Sequence, residues 1–425
     1  MASNTLWQQS EVVRTKAFPE WMEKKFNVFL DLVEKGEVEQ IGERNFRVPA
    51  EITPGGRAGT YDPQMGDMGR GTSPTGIVMI QSFFSTRLNF EFDQLQIKAT
   101  QNRKTAVQNP FLDCVAKGYR EFMLYWDKWI HGNGTAQLAT ATAFSNASGV
   151  TVYTLATNFG TQLLRRGQFV TIYDSTFTTI RSAGVLYING LGTQGRTIAL
   201  SGIVPGATNT DIICFEGVSG ASPAGPRGLG YWISSATSGT TAGINRANES
   251  QIISKSVNAG GAPWTAEMTM AIYHRILNDR GEVADKIVGL AAPAQQAAVY
   301  SNVMSIQLYD LAKTAAQAVD RLPKLKGKRT FMWGDVPHMV DIHTDTSQVF
   351  YVVPELFGIA RLAPVGFFET PGKTGADARF FNLMGGSGGP AAGVWFGFTR
   401  DEDIYNVDPG AQATLYNMPL GTLYQ

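Results

Sequence analysis

The chain has 425 residues, 43% of them hydrophobic, which is enough for a sizeable core and for two or three domains. Charged residues make up 17% of the chain, below the roughly 25% of typical soluble domains, and 36 basic residues balance 36 acidic ones. The chain lacks the basic excess that would indicate tight nucleic-acid binding. Its densest basic cluster (Lys324, Lys326, Lys328 and Arg329) is typical of a solvated loop. Low, balanced charge instead favours self-association.

The two cysteines lie a hundred positions apart, without a CxxC pair. Cys114 falls in a helical pattern and Cys214 in an apolar strand pattern, so we predict that both are small buried hydrophobes in a reduced compartment. Neither a signal-peptide pattern nor an 18-residue apolar stretch is present, so we expect no membrane association.

The N-terminal region is predicted as a loose leader over residues 1–18 followed by a helix. Pro19 suits the first helical turn, and Lys35 followed by Gly36 is a stop signal. The apolar residues at helical spacing are Met22, Phe26, Phe29, Leu30 and Val33.

Residues 37–92 predict a long, open β-hairpin. Phe46 and Val48 mark its first strand, and the apolar run from Ile77 to Phe84 marks its return. Leu88, Phe90 and Phe92 then alternate with polar residues, while the middle is rich in glycine and proline and predicts a flexible tip.

A long helix follows the hairpin. Asn109 is a plausible N-cap, Pro110 the first helical residue, and apolar spacing continues to His131 before Gly132 ends the helix. Its length is about 30 Å at 1.5 Å per residue.

Residues 136–226 are rich in small and hydroxyl side chains and contain short apolar runs, which predict a small β-barrel or sandwich inserted into a larger domain. Asn189-Gly190 is a tight-turn signal. The runs are 150–155, 168–173, 184–188, 196–200 and 211–215.

After Gly228 the pattern is mixed. Helices are predicted near 265–279, 293–303 and 305–320. Strands are predicted near 329–333, 347–353, 357–362, 379–384, 393–398 and 412–418.

Candidate chemistry is sparse. Gly372-Lys373-Thr374 lacks the glycine five positions earlier that a phosphate-binding loop requires, because Phe367 stands there. His338, Asp341, His343 and Asp345 form a histidine–carboxylate cluster. On a strand, the last three would share one face and could hold a divalent metal, although an intersubunit polar contact is the favoured interpretation. His131 and His274 show no obvious acidic partner. We therefore expect no enzyme, catalytic residue, cofactor or metal.

In order, these parts resemble the major capsid proteins of tailed bacteriophages, which have the Hong Kong 97-type fold. "GDMGRGTSPTG" (66–76) is similar to the tip of the extended E-loop hairpin, and "NPFLDCVAKGYREFMLYWDKWIHGNGT" (109–135) to the spine helix and its exit. "RTIALSGIVPGATNTDIICFEG" (196–217) is similar to the inserted barrel of some members. The stretch from "GLGYWI" (228–233) through "KIVGLAAPAQQAAVY" (286–300) resembles the start of the axial (A) domain.

The resemblance implies an α+β capsid fold with an additional all-β inserted domain. The implied divisions are an N-terminal arm and helix (1–37), E-loop hairpin and peripheral (P) domain strands (38–92), spine helix (93–135), inserted barrel (136–227), A-domain (228–345), and remaining A- and P-domain strands (346–425).

It also implies a structural protein of the virion that assembles with itself into pentamers and hexamers in the host cytoplasm. Expected partners are a scaffolding protein, a portal and a cement protein, with weak, nonspecific contact to packaged DNA. The candidate intersubunit residues are Gly66, Asp67, Arg70, Trp126, Trp129, His343 and Asp345. Some family members crosslink through an E-loop lysine, but this chain has no lysine between Lys35 and Lys98. Open alternatives are another virion protein (tail or baseplate), a nanocompartment shell of the same fold, or an enzyme with an accessory barrel.

Overall fold

The computed structural model describes residues 29–35, 39–41, 45–53, 73, 75–93, 110–156, 163–182, 186–192, 196–216, 225–304, 330–369, 373, 381–384 and 390–419. The chain divides into two compact units. Unit 1 comprises Met1–Asp31, Phe83–Lys128 and Ile359–Asp403, and unit 2 comprises Leu32–Ser82, Trp129–Gly358 and Ile404–Gln425.

The described α-helices are α1 (Pro110–Ile130), α2 (Leu229–Trp232), α3 (Ala266–Arg280) and α4 (Pro293–Met304). The described strands are β1 (Glu34–Lys35), β2 (Glu39–Ile41), β3 (Asn45–Thr53), β4 (Thr75–Ser82), β5 (Ser85–Asp93), β6 (Gln137–Ala147), β7 (Val150–Leu155), β8 (Phe169–Tyr173), β9 (Leu186–Leu191), β10 (Thr197–Leu200), β11 (Ile212–Phe215), β12 (Thr240–Thr241), β13 (Ile244–Asn245), β14 (Lys255–Asn258), β15 (Val288–Ala291), β16 (Thr330–Trp333), β17 (Val336–Val340), β18 (Val349–Val352), β19 (Phe357–Phe367), β20 (Phe381–Met384), β21 (Pro390–Asn406) and β22 (Ala413–Tyr416).

In unit 1, β21 is the central strand of an antiparallel arrangement. It pairs antiparallel with β20. It also pairs antiparallel with β5, in the register from Gly393↔Asp93 to Asp401↔Ser85. Phe90 of β5 stacks against Phe396 with ring centroids 5.3 Å apart, and Phe367 lies 4.9 Å from Phe398. Aromatic side chains therefore form the core of this sheet, since large rings bury the most apolar area per residue.

Unit 1 also buries an ionic network. Arg400 and Glu402 are fully buried and form an ion pair. Arg361 donates from Nε to Glu402 at 2.7 Å. Two guanidinium groups thus compensate one buried carboxylate, which is the condition under which a charge tolerates burial.

Unit 2 is built on a six-stranded mixed sheet in the order β14-β22-β18-β15-β17-β16. The β14–β22 and β15–β17 pairs are parallel. Helix α3 begins at an N-cap, where the Thr265 side chain accepts from the Met268 amide, and its buried side chains include Ile272 and Ile276. These join Val349 and Leu415 in one hydrophobic cluster.

Residues 137–215 supply a closed barrel in the order β10-β7-β6-β11-β8-β9. Asp211, fully buried, accepts a hydrogen bond from the Tyr153 hydroxyl at 2.7 Å and lies 2.9 Å from Arg181 Nε. Burial is the main cause that raises the pKa of Tyr153, and the hydrogen bond to Asp211 raises that pKa further. Cys214 is buried as predicted, and its burial raises the pKa of the thiol to about 12.

Strands β3 and β4 form an antiparallel hairpin, with Phe46↔Gln81 and Val48↔Met79 in register. One face packs within unit 2, where Gln81 Nε2 donates to the Ile404 carbonyl at 3.2 Å and Phe46 meets Tyr405 edge-on. The predicted pairing of these two stretches is confirmed, while the predicted tip (54–72) lies outside the described residues.

The N-terminal helix prediction is wrong at its C-terminal end. Phe29 and Leu30 lie in a turn, and Glu34–Lys35 form a strand rather than the last helical turn. The apolar residues Phe29, Leu30 and Val33 are buried nonetheless. A short apolar run fits both the helical and the strand period. The burial of these residues was therefore predictable, but their backbone conformation was not.

Asn189-Gly190 is not a turn. Both residues lie within β9, where Gly190 is opposite Ala199, and the register shifts between Ala199 and Leu200. A Cβ at Gly190 would lie 3.7 Å from the Ala199 Cβ. The glycine therefore sits beside a bulge in a paired strand, a position where glycine is common.

Several further predictions lie outside the described residues. They are the helix near 305–320, the basic cluster at 324–329, residues 1–28, and the side chain of Cys114. Within the described ranges, no helix combines the length and apolar character needed to span a bilayer.

Candidate functional site

The outward side of the β3–β4 hairpin exposes apolar residues. Val78 is 50% exposed and Ile80 52% exposed, whereas Met79 between them is buried. In the ladder, Val78 is opposite Pro49 and Ile80 is opposite Arg47. We call this surface, formed by Arg47, Pro49, Val78 and Ile80, the hairpin face. The Val78 and Ile80 side chains stay exposed because the other face of β4 is packed in the core.

The barrel carries a second exposed apolar surface. Phe169 of β8 and Tyr187 of β9 are paired across strands, with ring centroids 6.1 Å apart, and both are more than two-fifths exposed. Cross-strand aromatic pairs stabilise a sheet by themselves, so this surface has a structural role within the barrel.

The candidate contact residues fall into three groups. Gly66, Asp67 and Arg70 lie outside the described residues. The side chains of Trp126 and His343 are buried inside the chain itself. Their burial makes them part of the interior rather than of an accessible surface.

Trp129 and Asp345 retain exposure. The Trp129 ring is half-buried and tilts against Phe215 with centroids 4.6 Å apart. Asp345 is exposed and its Oδ1 accepts from the Ser347 amide at 2.8 Å. Both therefore remain available to a neighbouring molecule.

Asp341, His343 and Asp345 of the predicted histidine–carboxylate cluster do not share one strand face. Strand β17 ends at Val340, so the alternation expected for Asp341, His343 and Asp345 is wrong. Asp341 and His343 are buried close together, while Asp345 is exposed. The turn after Val340, which restrains these residues through local hydrogen bonds, replaces the extended conformation.

The His338 side chain packs among aromatic rings instead. Its ring lies 4.9 Å from the Trp264 ring and 5.2 Å from Phe331. Its Nδ1 is 2.8 Å from the Val336 carbonyl, which accepts from the N–H tautomer. Complete burial lowers the pKa of His338 to about 3, so the ring is a neutral core group.

His131, for which the sequence suggested no partner, joins this region. Its Nε2 lies 3.1 Å from Asp341 Oδ2, and its ring centroid is 6.4 Å from that of His343. We call His131, Asp341 and His343 the histidine cluster. Burial alone would raise the pKa of Asp341, but the charge of the neighbouring His131 and the hydrogen bond donated by the His343 amide lower it overall.

The comparisons with known proteins gave matches only among solved structures. No family model matches the chain. No curated protein matches it either.

The chain is similar to the capsid of Cyanophage A-1(L), with TM-score 0.49, 12% identity, and 92% of each chain covered. It is similar to a structure from Mycobacterium phage Ogopogo, with TM-score 0.42, 9% identity, and 92% of this chain and 91% of the other covered. A virus-like particle from Pyrococcus furiosus gives TM-score 0.35 and 9% identity, covering 94% and 99%.

Proposed function

We propose that this chain is the major capsid protein of a tailed phage, a shell subunit that assembles with copies of itself into pentamers and hexamers around the DNA genome. The observation that carries the proposal is the hairpin face, since Val78 and Ile80 stay exposed on a hairpin whose other side is fixed. The hairpin precedes the 21-residue helix α1, which is the order that the capsid resemblance implies.

Burial of this face would stabilise a contact between subunits. Apolar burial contributes about 25 cal/mol per Å², so two half-exposed branched side chains contribute about 1.5–3 kcal/mol per contact. A closed shell repeats each contact many times, so a weak individual contact is sufficient. The low, balanced charge of the chain also limits repulsion between copies.

The domain assignment belongs to the same proposal. We assign β3 and β4 to the E-loop hairpin, α1 to the spine helix, and the closed barrel of β6–β11 to the inserted domain. We assign the α3-bearing mixed sheet to the A-domain (228–345), joined by β18 and β22 from the remaining A- and P-domain strands (346–425), which also include β19–β21. Scaffolding, portal and cement proteins are the proposed partners, with weak DNA contact, a virion location and assembly in the host cytoplasm.

A double substitution tests the hairpin face. Val78→Asp with Ile80→Asp places two charges on it while leaving the buried residues Phe46, Val48 and Met79 unchanged. We expect a folded subunit, judged by circular dichroism and thermal melting, that no longer forms large assemblies in sedimentation velocity and electron microscopy.

The matched control keeps the same two positions apolar. Val78→Ile with Ile80→Val conserves their combined size and should assemble like the unmodified chain. Shells that form equally well from the Asp variant would remove the observation on which the proposal rests.

A further inference from the structure

We propose that the histidine cluster is a binding site for a divalent transition metal ion, with Zn²⁺ as the best match. The ligands are His131 Nε2, Asp341 Oδ2 and an imidazole nitrogen of His343. The inference concerns unit 2 alone and does not depend on the proposed capsid function.

The separations match those of ligands around one ion. With bonds of about 2.0–2.2 Å and tetrahedral angles, two zinc ligand atoms lie about 3.3–3.6 Å apart. His131 Nε2 and Asp341 Oδ2 are 3.1 Å apart. A ligand atom of Asp341 and one of His343 lie within 4.8 Å of each other, so Asp341 is within reach of both imidazoles.

The two imidazoles are placed consistently. On a shared zinc, the ring centres lie about 3.2 Å from the ion, hence about 5–6 Å from each other. The His131 and His343 centroids are 6.4 Å apart with their planes at 54°. This separation is slightly larger than the value for a shared ion, and the two rings are not stacked.

The contact between His131 and Asp341 is short, but its geometry does not suit a hydrogen bond. Asp341 Oδ2 is buried and receives no hydrogen bond of acceptable geometry from the described residues, although His131 Nε2 is at 3.1 Å. A buried carboxylate oxygen of this kind lacks full compensation, and a cation would supply it.

Hydrogen bonds fix the carboxylate from its other side. The His343 amide donates to Asp341 Oδ1 at 2.9 Å, leaving Oδ2 to face His131. The Asp341 amide donates to the Ala291 carbonyl at 2.9 Å, which holds the residue against β15. Such outer contacts orient a metal ligand before the ion arrives.

The donor set selects the metal class. Two imidazoles and one carboxylate suit Zn²⁺ and neighbouring transition metals, while Mg²⁺ and Ca²⁺ prefer oxygen donors. Three protein ligands on a metal leave a fourth position to water or a further group. The His131, Asp341 and His343 side chains are at most 4% exposed, so a bound ion would link residue 131, just after α1, to the residues after β17.

Calorimetric titration of the full-length, EDTA-treated protein with ZnCl2 at neutral pH tests the site. We expect one Zn²⁺ per chain and no corresponding event with MgCl2. His343→Ala should remove this equivalent or weaken it at least tenfold, whereas His274→Ala, at an exposed helix position, should retain it.

Circular dichroism establishes that each variant is folded, and His343→Gln replaces His343→Ala if the latter does not fold. Absence of a zinc equivalent in the unmodified protein, or its full retention in a folded His343 variant, overturns the site and marks the cluster as a simple buried ion pair. Either result leaves the assembly experiment on the hairpin face unaffected.

Discussion

The guanidinium of Arg400 lies 4.2 Å from the centre of the Trp126 ring, and both side chains are buried. Arg400 also pairs with Glu402 and lies 3.6 Å from Met123 Sδ. A desolvated guanidinium over an indole contributes about 2 kcal/mol, beyond the ion pair itself. Arg400 thus links the helix α1 to the long strand β21 within unit 1.

Replacing Arg400 with Met should destabilise the subunit. Among the described residues, the change leaves Arg361 as the cationic partner of the buried Glu402, and breaking a buried pair typically costs about 3–5 kcal/mol. Urea denaturation of the unassembled subunit measures the loss. Lys286→Met, which removes an exposed ion pair with Glu355, should change the free energy of unfolding by less than about 1 kcal/mol. Equal effects of the two substitutions would contradict the network.

Acid should destabilise the subunit through His338. Its pKa falls from 6.5 in the unfolded chain to about 3 in the fold. Between these values the unfolded state binds a proton that the folded state does not, so stability falls by about 1.4 kcal/mol per pH unit as the pH decreases. Well above pH 6.5 the ring is neutral in both states and contributes no pH dependence.

The variant His338→Asn separates this contribution from other acidic titrations. Its amide can donate to the Val336 carbonyl in place of Nδ1–H, but it does not titrate. We expect a lower absolute stability and a shallower decline from pH 6 to pH 4, measured by chemical denaturation at each pH. Parallel pH profiles for the two proteins would show that His338 does not have the stated pKa.

Replacing Gly118 with alanine should destabilise the protein, although the same change usually stabilises a helix interior. Alanine is normally more favourable than glycine in a helix interior by about 1 kcal/mol. A Cβ at Gly118 would lie 1.8 Å from a ring atom of Phe90, and that ring is held by Phe396. Gly118→Ala should therefore lower stability by about 1–3 kcal/mol. In a Phe90→Ala background, the same substitution should be neutral or stabilising, and a double-mutant cycle without coupling would contradict the contact.

Covalent crosslinking should be absent from assembled particles. No lysine lies between Lys35 and Lys98, so the hairpin lacks the nucleophile that some capsid proteins use there. Boiled and reduced particles should migrate as one band near 46.2 kDa in denaturing electrophoresis. A ladder of multimers would contradict this prediction.

Local signals predicted the helices best. The predicted span of α1 from Pro110 differs from the structure by one residue at its C-terminal end, because Asn109-Pro110 and Gly132 mark its limits locally. The strands β7 and β16 also match their apolar runs closely. In contrast, β6 was missed, since its Thr- and Ser-rich second half is exposed and carries no apolar alternation.

Long-range relationships were not predictable from one sequence. His131 and Asp341 are separated by more than two hundred positions, and neither flanking segment indicates the other. Likewise, the burial of Trp126 depends on Arg400 from a distant strand. The apolar pattern gave the hairpin, but only the packed structure distinguishes its anchored face from the hairpin face.

Negative-stain electron microscopy with sedimentation velocity on the purified, separately expressed protein tests the central claim most directly. We expect closed shells, sheets or tubes with a capsomer-sized repeat, if necessary after coexpression with the neighbouring virion genes. A small, discrete dimer or tetramer that persists with those genes present would contradict the capsid function.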